Sequence, residues 1–75
     1  MTDKYKVQVC RLFRGHPIPV KPAEFFSVGH LTPRESIVRQ AKKLTGFNKI
    51  KTRTEDLGNT ILLTSPTHLL RLEYV

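Results

Sequence analysis

Tyr5, Val7 and Val9 alternate with Lys6 and Gln8 near the start of the chain. A period of two built from β-branched and aromatic residues predicts a half-buried strand over Tyr5–Leu12. Past Val9 the alternation blurs, with Cys10, Leu12 and Phe13 apolar and Arg11 and Arg14 charged, as at a bulge, a twist or a strand end. Arg14-Gly15-His16-Pro17 then interrupts the pattern, and Pro17, Pro19 and Pro22 recur through Ile18, Val20 and Lys21. Proline has no N–H and disfavours α geometry in the residue before it. This stretch therefore reads as an extended edge segment or an ordered loop, not as a central strand. Phe25, Phe26 and Val28 form a short second strand ending at Gly29.

A helix signal follows. Thr32-Pro33-Arg34-Glu35 has the form of a capping box with proline at the first helical position, where its missing N–H has no helical partner. The helix is expected to run to Leu44 or Thr45, with Gly46 as its C-terminal cap. Ile37, Val38, Ala41 and Leu44 fall on one face as a core-facing stripe. Arg39, Lys42 and Lys43 occupy the other side, and two of them lie in the last turn, where the helix dipole favours positive charge.

Lys49–Thr54 alternates again, with Lys49, Lys51 and Arg53 on one side and Ile50, Thr52 and Thr54 on the other, predicting a strand. Glu55 to Asn59 reads as a turn, because Gly58 and Asn59 tolerate positive φ. Thr60–Thr64 is the return strand, whose Ile61, Leu62 and Leu63 suggest burial on both faces. Pro66 ends it. Leu69–Val75 fits a last strand with Leu70, Leu72 and Tyr74 on one face. A short final helix after Ser65-Pro66 is the alternative, and the alternation favours the strand. The expected fold is a small α+β single domain over residues 1–75, one helix packed on a three- to five-stranded, mainly antiparallel sheet.

Composition adds three constraints. A chain of 75 residues, 39% hydrophobic and without Trp, buries only about 60% of its unfolded surface, so its core is thin and a homodimer would supply further buried area. The single cysteine, Cys10, excludes an internal disulfide and a thiolate zinc cluster, as expected of a reducing interior. No apolar leader opens the sequence and no run of 18 apolar residues occurs, so a cytoplasmic location without a membrane span is expected.

Catalytic chemistry finds little support. His16, His30 and His68 are widely spaced, and none sits in a local metal-binding pattern. Cys10 lies in strand periodicity, where a lone thiol is a small core residue. Asp3, Glu24, Glu35, Glu55, Asp56 and Glu73 form no evident acid–base pair, and the four glycines form no phosphate-cradling loop. A non-enzymatic binding protein without cofactor or metal is the expectation.

The charge balance points to a polyanion. Thirteen Lys and Arg against six Asp and Glu give a net +7, and seven of the basic residues fall between Thr32 and Thr54 beside one acid, Glu35. Such a surface attracts nucleic acid phosphates before specific contacts form. Two engagements follow. Arg39, Lys42 and Lys43 can present the helix to phosphates, or Lys49, Lys51 and Arg53, joined by Lys6 and Arg11, can form a basic sheet face. For a single continuous surface the two sets must meet around Gly46-Phe47-Asn48. The second reading is a protein-interaction subunit, linker or inhibitor docked on an acidic partner, with Phe25 and Phe26 exposed at the end of the proline stretch. The order of first strand, Phe25-Phe26-Ser27-Val28, helix and Lys49-Ile50-Lys51 loosely resembles the small linker domains of cyanobacterial light-harvesting assemblies. The likeness covers under half the chain and lacks the paired glycines those domains carry after the helix. It defines no family and adds only an assembly role to the second reading.

Overall fold

In the computed structural model, which describes all 75 residues, the order of elements is β1 (Thr2–Phe13), β2 (His16–Pro19), β3 (Glu24–Gly29), α1 (Arg34–Thr45), a 3-10 turn (Phe47–Lys49), β4 (Arg53–Asp56), β5 (Thr60–Thr64) and β6 (His68–Tyr74). All strands join one antiparallel sheet in the order β2-β1-β6-β5-β4, with β3 also paired to β1. β1 is the spine. Its 12 residues, at about 3.3 Å each, account for the 40 Å length of a molecule only 22 Å across.

β2 takes the Cys10–Phe13 stretch of β1 and β3 takes Thr2–Val7. The two short strands therefore share one edge, which gives six strands in five columns. The proline stretch makes β2 an edge strand, as the absence of proline N–H groups requires.

One face of the sheet holds the core. Tyr5, Val7 and Val9 of β1, Val28 of β3, Ile61 and Leu63 of β5, and Leu70 and Leu72 of β6 meet Ile37 and Ala41 of α1 and the ring of Phe47. The side chains of Val7, Ile61, Leu63, Leu70 and Leu72 are fully buried. In a core this thin, truncating one of these leucines to Ala costs about 2–5 kcal/mol. The opposite face carries no helix. Cys10 lies on it beside Leu69, and burial pushes its thiol above the usual cysteine range, an effect Arg71 partly opposes.

The fold class agrees with the sequence pattern and β5 and β6 fall where the alternation places them, but the sheet has six strands instead of three to five because β2 and β3 both pair with the long β1. Three local features differ. Pro33 is extended (φ −61°, ψ 149°), so α1 begins at Arg34 and Thr32 lies one position too early to cap it. No side chain caps this end; the Pro33 carbonyl accepts from the N–H groups of Ser36 (3.0 Å) and Ile37 (3.2 Å). Thr32 instead closes a turn by donating its N–H to the Gly29 carbonyl (2.9 Å). Leu44 is exposed, so the core stripe of the helix is shorter than its period suggests.

The third difference concerns Lys49–Thr54. Gly46 ends α1 with φ 80°, its N–H bonded to the Lys42 carbonyl, as a C-terminal glycine should. Phe47 then turns into the core, its ring edge-on to His68 at 5.8 Å. Anchoring that ring holds the chain away from the sheet. Lys49 ends a 3-10 turn, Ile50–Thr52 is irregular, and β4 begins only at Arg53 and extends into the expected turn. Lys49, Lys51 and Arg53 therefore form no basic strand face.

Candidate nucleic-acid interface

Strand register orders the charged residues along the long axis. One row crosses the sheet through Pro19, Cys10, Leu69, Thr64 and Arg53. Beyond it, toward the Phe13 end of β1, lie Arg11, opposite His68 and Ile18, and the hairpin turn Arg14-Gly15. Because Phe47 packs on His68 and β4 starts at Arg53, the segment between them crosses this same end and brings Lys49 and Lys51 with it. Arg11, Arg14, Lys49, Lys51 and Arg53 are all exposed.

One carboxylate borders this end, Glu55, two residues along β4 from Arg53, and the others lie farther off. Asp3 pairs with Val28 near the other tip, and Glu73 lies opposite Lys6. Asp56 and Glu24 belong to the row of Val7, and Glu55 to the row of Gln8. Glu35 sits in the first turn of α1, next to Arg34, whose guanidinium lies 3.7 Å from Asp56 and donates to the Gly58 carbonyl (2.8 Å). Two ion pairs form, Arg34–Asp56 and Arg71–Glu73, and the His30 ring meets the Asp3 carboxylate; none of these contacts involves the five cations of the basic end.

Arg14 adds a feature that sequence reasoning missed. Its φ is 50° and that of Gly15 is 81°, the left-handed pair typical of a two-residue hairpin turn. A non-glycine residue held there costs about 1 kcal/mol. The strained backbone puts the guanidinium at the tip of the molecule, 5.5 Å from the Phe13 ring. The available signal was the two-residue spacing between Phe13 and the His16-Pro17-Ile18 segment.

Of the eight expected phosphate-binding residues, Arg11, Lys49, Lys51 and Arg53 therefore share one end. Arg39, Lys42 and Lys43 belong to the helix. Arg39 and Lys43 are exposed and Lys42 is half-buried, and Lys43 borders a shallow depression with Phe26, Gln40 and Leu44 at the β3 edge. Lys6 stands in the middle of the helix-free face, and Arg11, five residues on, projects from the other face. The sheet-face grouping of Lys6 with Arg11 does not form. Phe25 and Phe26 also separate: Phe25 is exposed with the Lys4 Nζ 4.8 Å from its ring centre, while Phe26 packs on the core and stacks on Tyr5 at 5.8 Å.

No three His, Cys, Asp or Glu side chains converge in a metal-binding arrangement, and no helix is long and apolar enough to cross a membrane. No protein-family model, curated protein or solved structure matches the chain.

Proposed function

We propose that this protein binds nucleic acid end-on, with Arg11, Arg14, Lys49, Lys51 and Arg53 set against the phosphate backbone. The observation that carries the reading is their confinement to one end of the molecule, exposed and outside every ion pair, with Glu55 beside Arg53 as the one neighbouring carboxylate. Each cation has a field that no internal partner cancels, and phosphates release counterions when they meet such a surface. Base reading has less support. The Gln8 amide donates to the Lys21 carbonyl and lies in the middle of the sheet, leaving Asn48 as the exposed amide beside Lys49. Backbone contact without strong sequence preference follows.

The test is fluorescence anisotropy with labelled duplex DNA, single-stranded DNA and duplex RNA across a salt series. Four to five phosphate contacts give a log–log slope of about −4, so affinity falls by roughly 250-fold between about 50 and 200 mM salt. An absence of binding to all three at 50 mM would remove the reading and leave an acidic protein as the partner of this end.

A further inference from the structure

The outer strands β2 and β4 are finished in opposite ways. Leu12 donates to the Thr67 carbonyl and Val75 to the Lys4 carbonyl, so the even-numbered residues of β1 bond to β6 and the odd-numbered ones face β2. Their partners on that side are His16, Ile18 and Val20, the last donating to the Val9 carbonyl (3.1 Å). Pro17 and Pro19 occupy the alternate positions, where an N–H would point out of the sheet. The outer donors of β2 are thus removed by proline, whereas β3, on the same side of β1, keeps those of Phe25 and Ser27.

The β4 edge has no such block. Leu57 donates to the Thr60 carbonyl (2.7 Å), which sets the phase of the hairpin. By alternation Arg53 and Glu55 bond to Thr64 and Leu62, and the N–H and C=O groups of Thr54 and Asp56 point outward. All four residues of β4 are exposed. Arg53 and Glu55 project from the helix-free face, and neither is in an ion pair within the chain.

We infer that β4 pairs antiparallel with β4 of a second copy of this chain, about a two-fold axis through Thr54. Such an axis, perpendicular to the sheet, preserves its faces, so only residues on the same face can lie opposite one another. An axis through Arg53 sets two arginines opposite, and one through Glu55 sets two glutamates opposite. An axis through Thr54 sets Arg53 opposite Glu55 twice, at non-hydrogen-bonded positions where side chains approach most closely. In that register Thr54 exchanges two hydrogen bonds with its mate, using the groups that point outward, and Asp56 lies opposite Thr52 just before β4 of the mate. The second strand also covers Val38, which lines a depression with Arg34, Glu35, Thr54, Asp56 and Ile61 beside this edge. Because the two-fold contact uses the β4 edge of both copies, it is self-complementary and closes at two. Arg53 is then neutralised, and Arg11, Arg14, Lys49 and Lys51 remain free for phosphate. The inference does not depend on the nucleic-acid reading.

Light scattering after size exclusion, with circular dichroism to confirm folding, tests the edge by charge swap. The wild-type chain is expected at twice the monomer mass. Arg53→Glu leaves only acids at the opposed positions 53 and 55, and Glu55→Arg leaves only bases there, so each alone should dimerise at least about tenfold more weakly. An equimolar mixture of the two variants should recover the dimer, because every opposed pair is again of opposite sign. Thr54→Pro removes the outward donor at the axis without touching the β4–β5 bonds, and should also give monomer. A wild-type chain that stays monomeric at every concentration overturns the inference. So does a mixture no more dimeric than its components.

Discussion

At one end of the β1 spine the charged groups are engaged with one another. Asp3 accepts a hydrogen bond from the Tyr74 hydroxyl (3.0 Å) and meets His30 Nδ1 at 3.3 Å, tying the first strand to the last. On the same half of the sheet Arg71 meets Glu73 at 2.6 Å, and Arg34 fastens the start of α1 to the β4–β5 turn. At the opposite end Arg11, Arg14, Lys49, Lys51 and Arg53 face solvent in no ion pair, with Glu55 beside Arg53 as the one neighbouring carboxylate. The first end uses charge to close the fold, whereas the second accumulates repulsion that an external anion would relieve. A net charge of +7 therefore says less about function than its distribution along 40 Å does.

The largest effect should come from reversing charge at the basic end. The double variant Lys49→Glu/Lys51→Glu should weaken nucleic-acid binding about 100-fold or more at 50 mM salt. Lys4→Glu/Lys6→Glu changes the net charge by the same amount away from that end and should cost less than about tenfold. The neutral pair Lys49→Gln/Lys51→Gln should flatten the salt slope by about two. Equal losses from the two reversals would show that only total charge matters, and the contrast between the ends would collapse.

Arg14→Gly separates strain from function. Glycine adopts φ near 50° freely, so urea denaturation should show the variant more stable by up to about 1 kcal/mol. Nucleic-acid affinity should fall several-fold at the same time, because one phosphate no longer meets a cation. A variant that binds as well as the wild type would mean that the strained turn serves the hairpin alone.

The smallest effect belongs to the other end. The hydrogen bond to Asp3, aided by that carboxylate's charge, raises the Tyr74 phenol above its ordinary value. A raised acid favours the protonated phenol in the folded state. Its contribution is therefore full below the unfolded value of about 10 and is lost as pH rises through the folded one. Asp3→Asn should return Tyr74 toward the ordinary range in an ultraviolet titration and reduce the alkaline loss of stability. Nucleic-acid affinity should not change.

How much of this could be read from the chain depends on whether each signal is local. Thr60–Thr64 and its turn are legible because an apolar run lies between Gly58-Asn59 and Pro66, and Gly46 ends the helix by a backbone preference that needs no partner. The start of β4 is not local. Phe47 stands alone in a basic segment with no periodicity to report it, and its packing on His68, 21 positions away, decides where Lys49 and Lys51 go. The capping box fails through one backbone angle, the extended ψ of Pro33. Lys6 and Arg11 could have been separated by strand parity alone, since residues an odd number apart face opposite ways. Arg14 was hidden because a two-residue hairpin turn reads in sequence as an interruption.

Amide chemical-shift mapping during titration of the labelled chain with a short DNA duplex tests the central claim most directly. The account predicts that the largest changes fall on Arg11, Arg14, Lys49, Lys51 and their neighbours and leave Asp3, Tyr74 and Glu73 in place. Changes centred on Arg39 and Lys43 of the helix, or spread evenly over both ends, would contradict it.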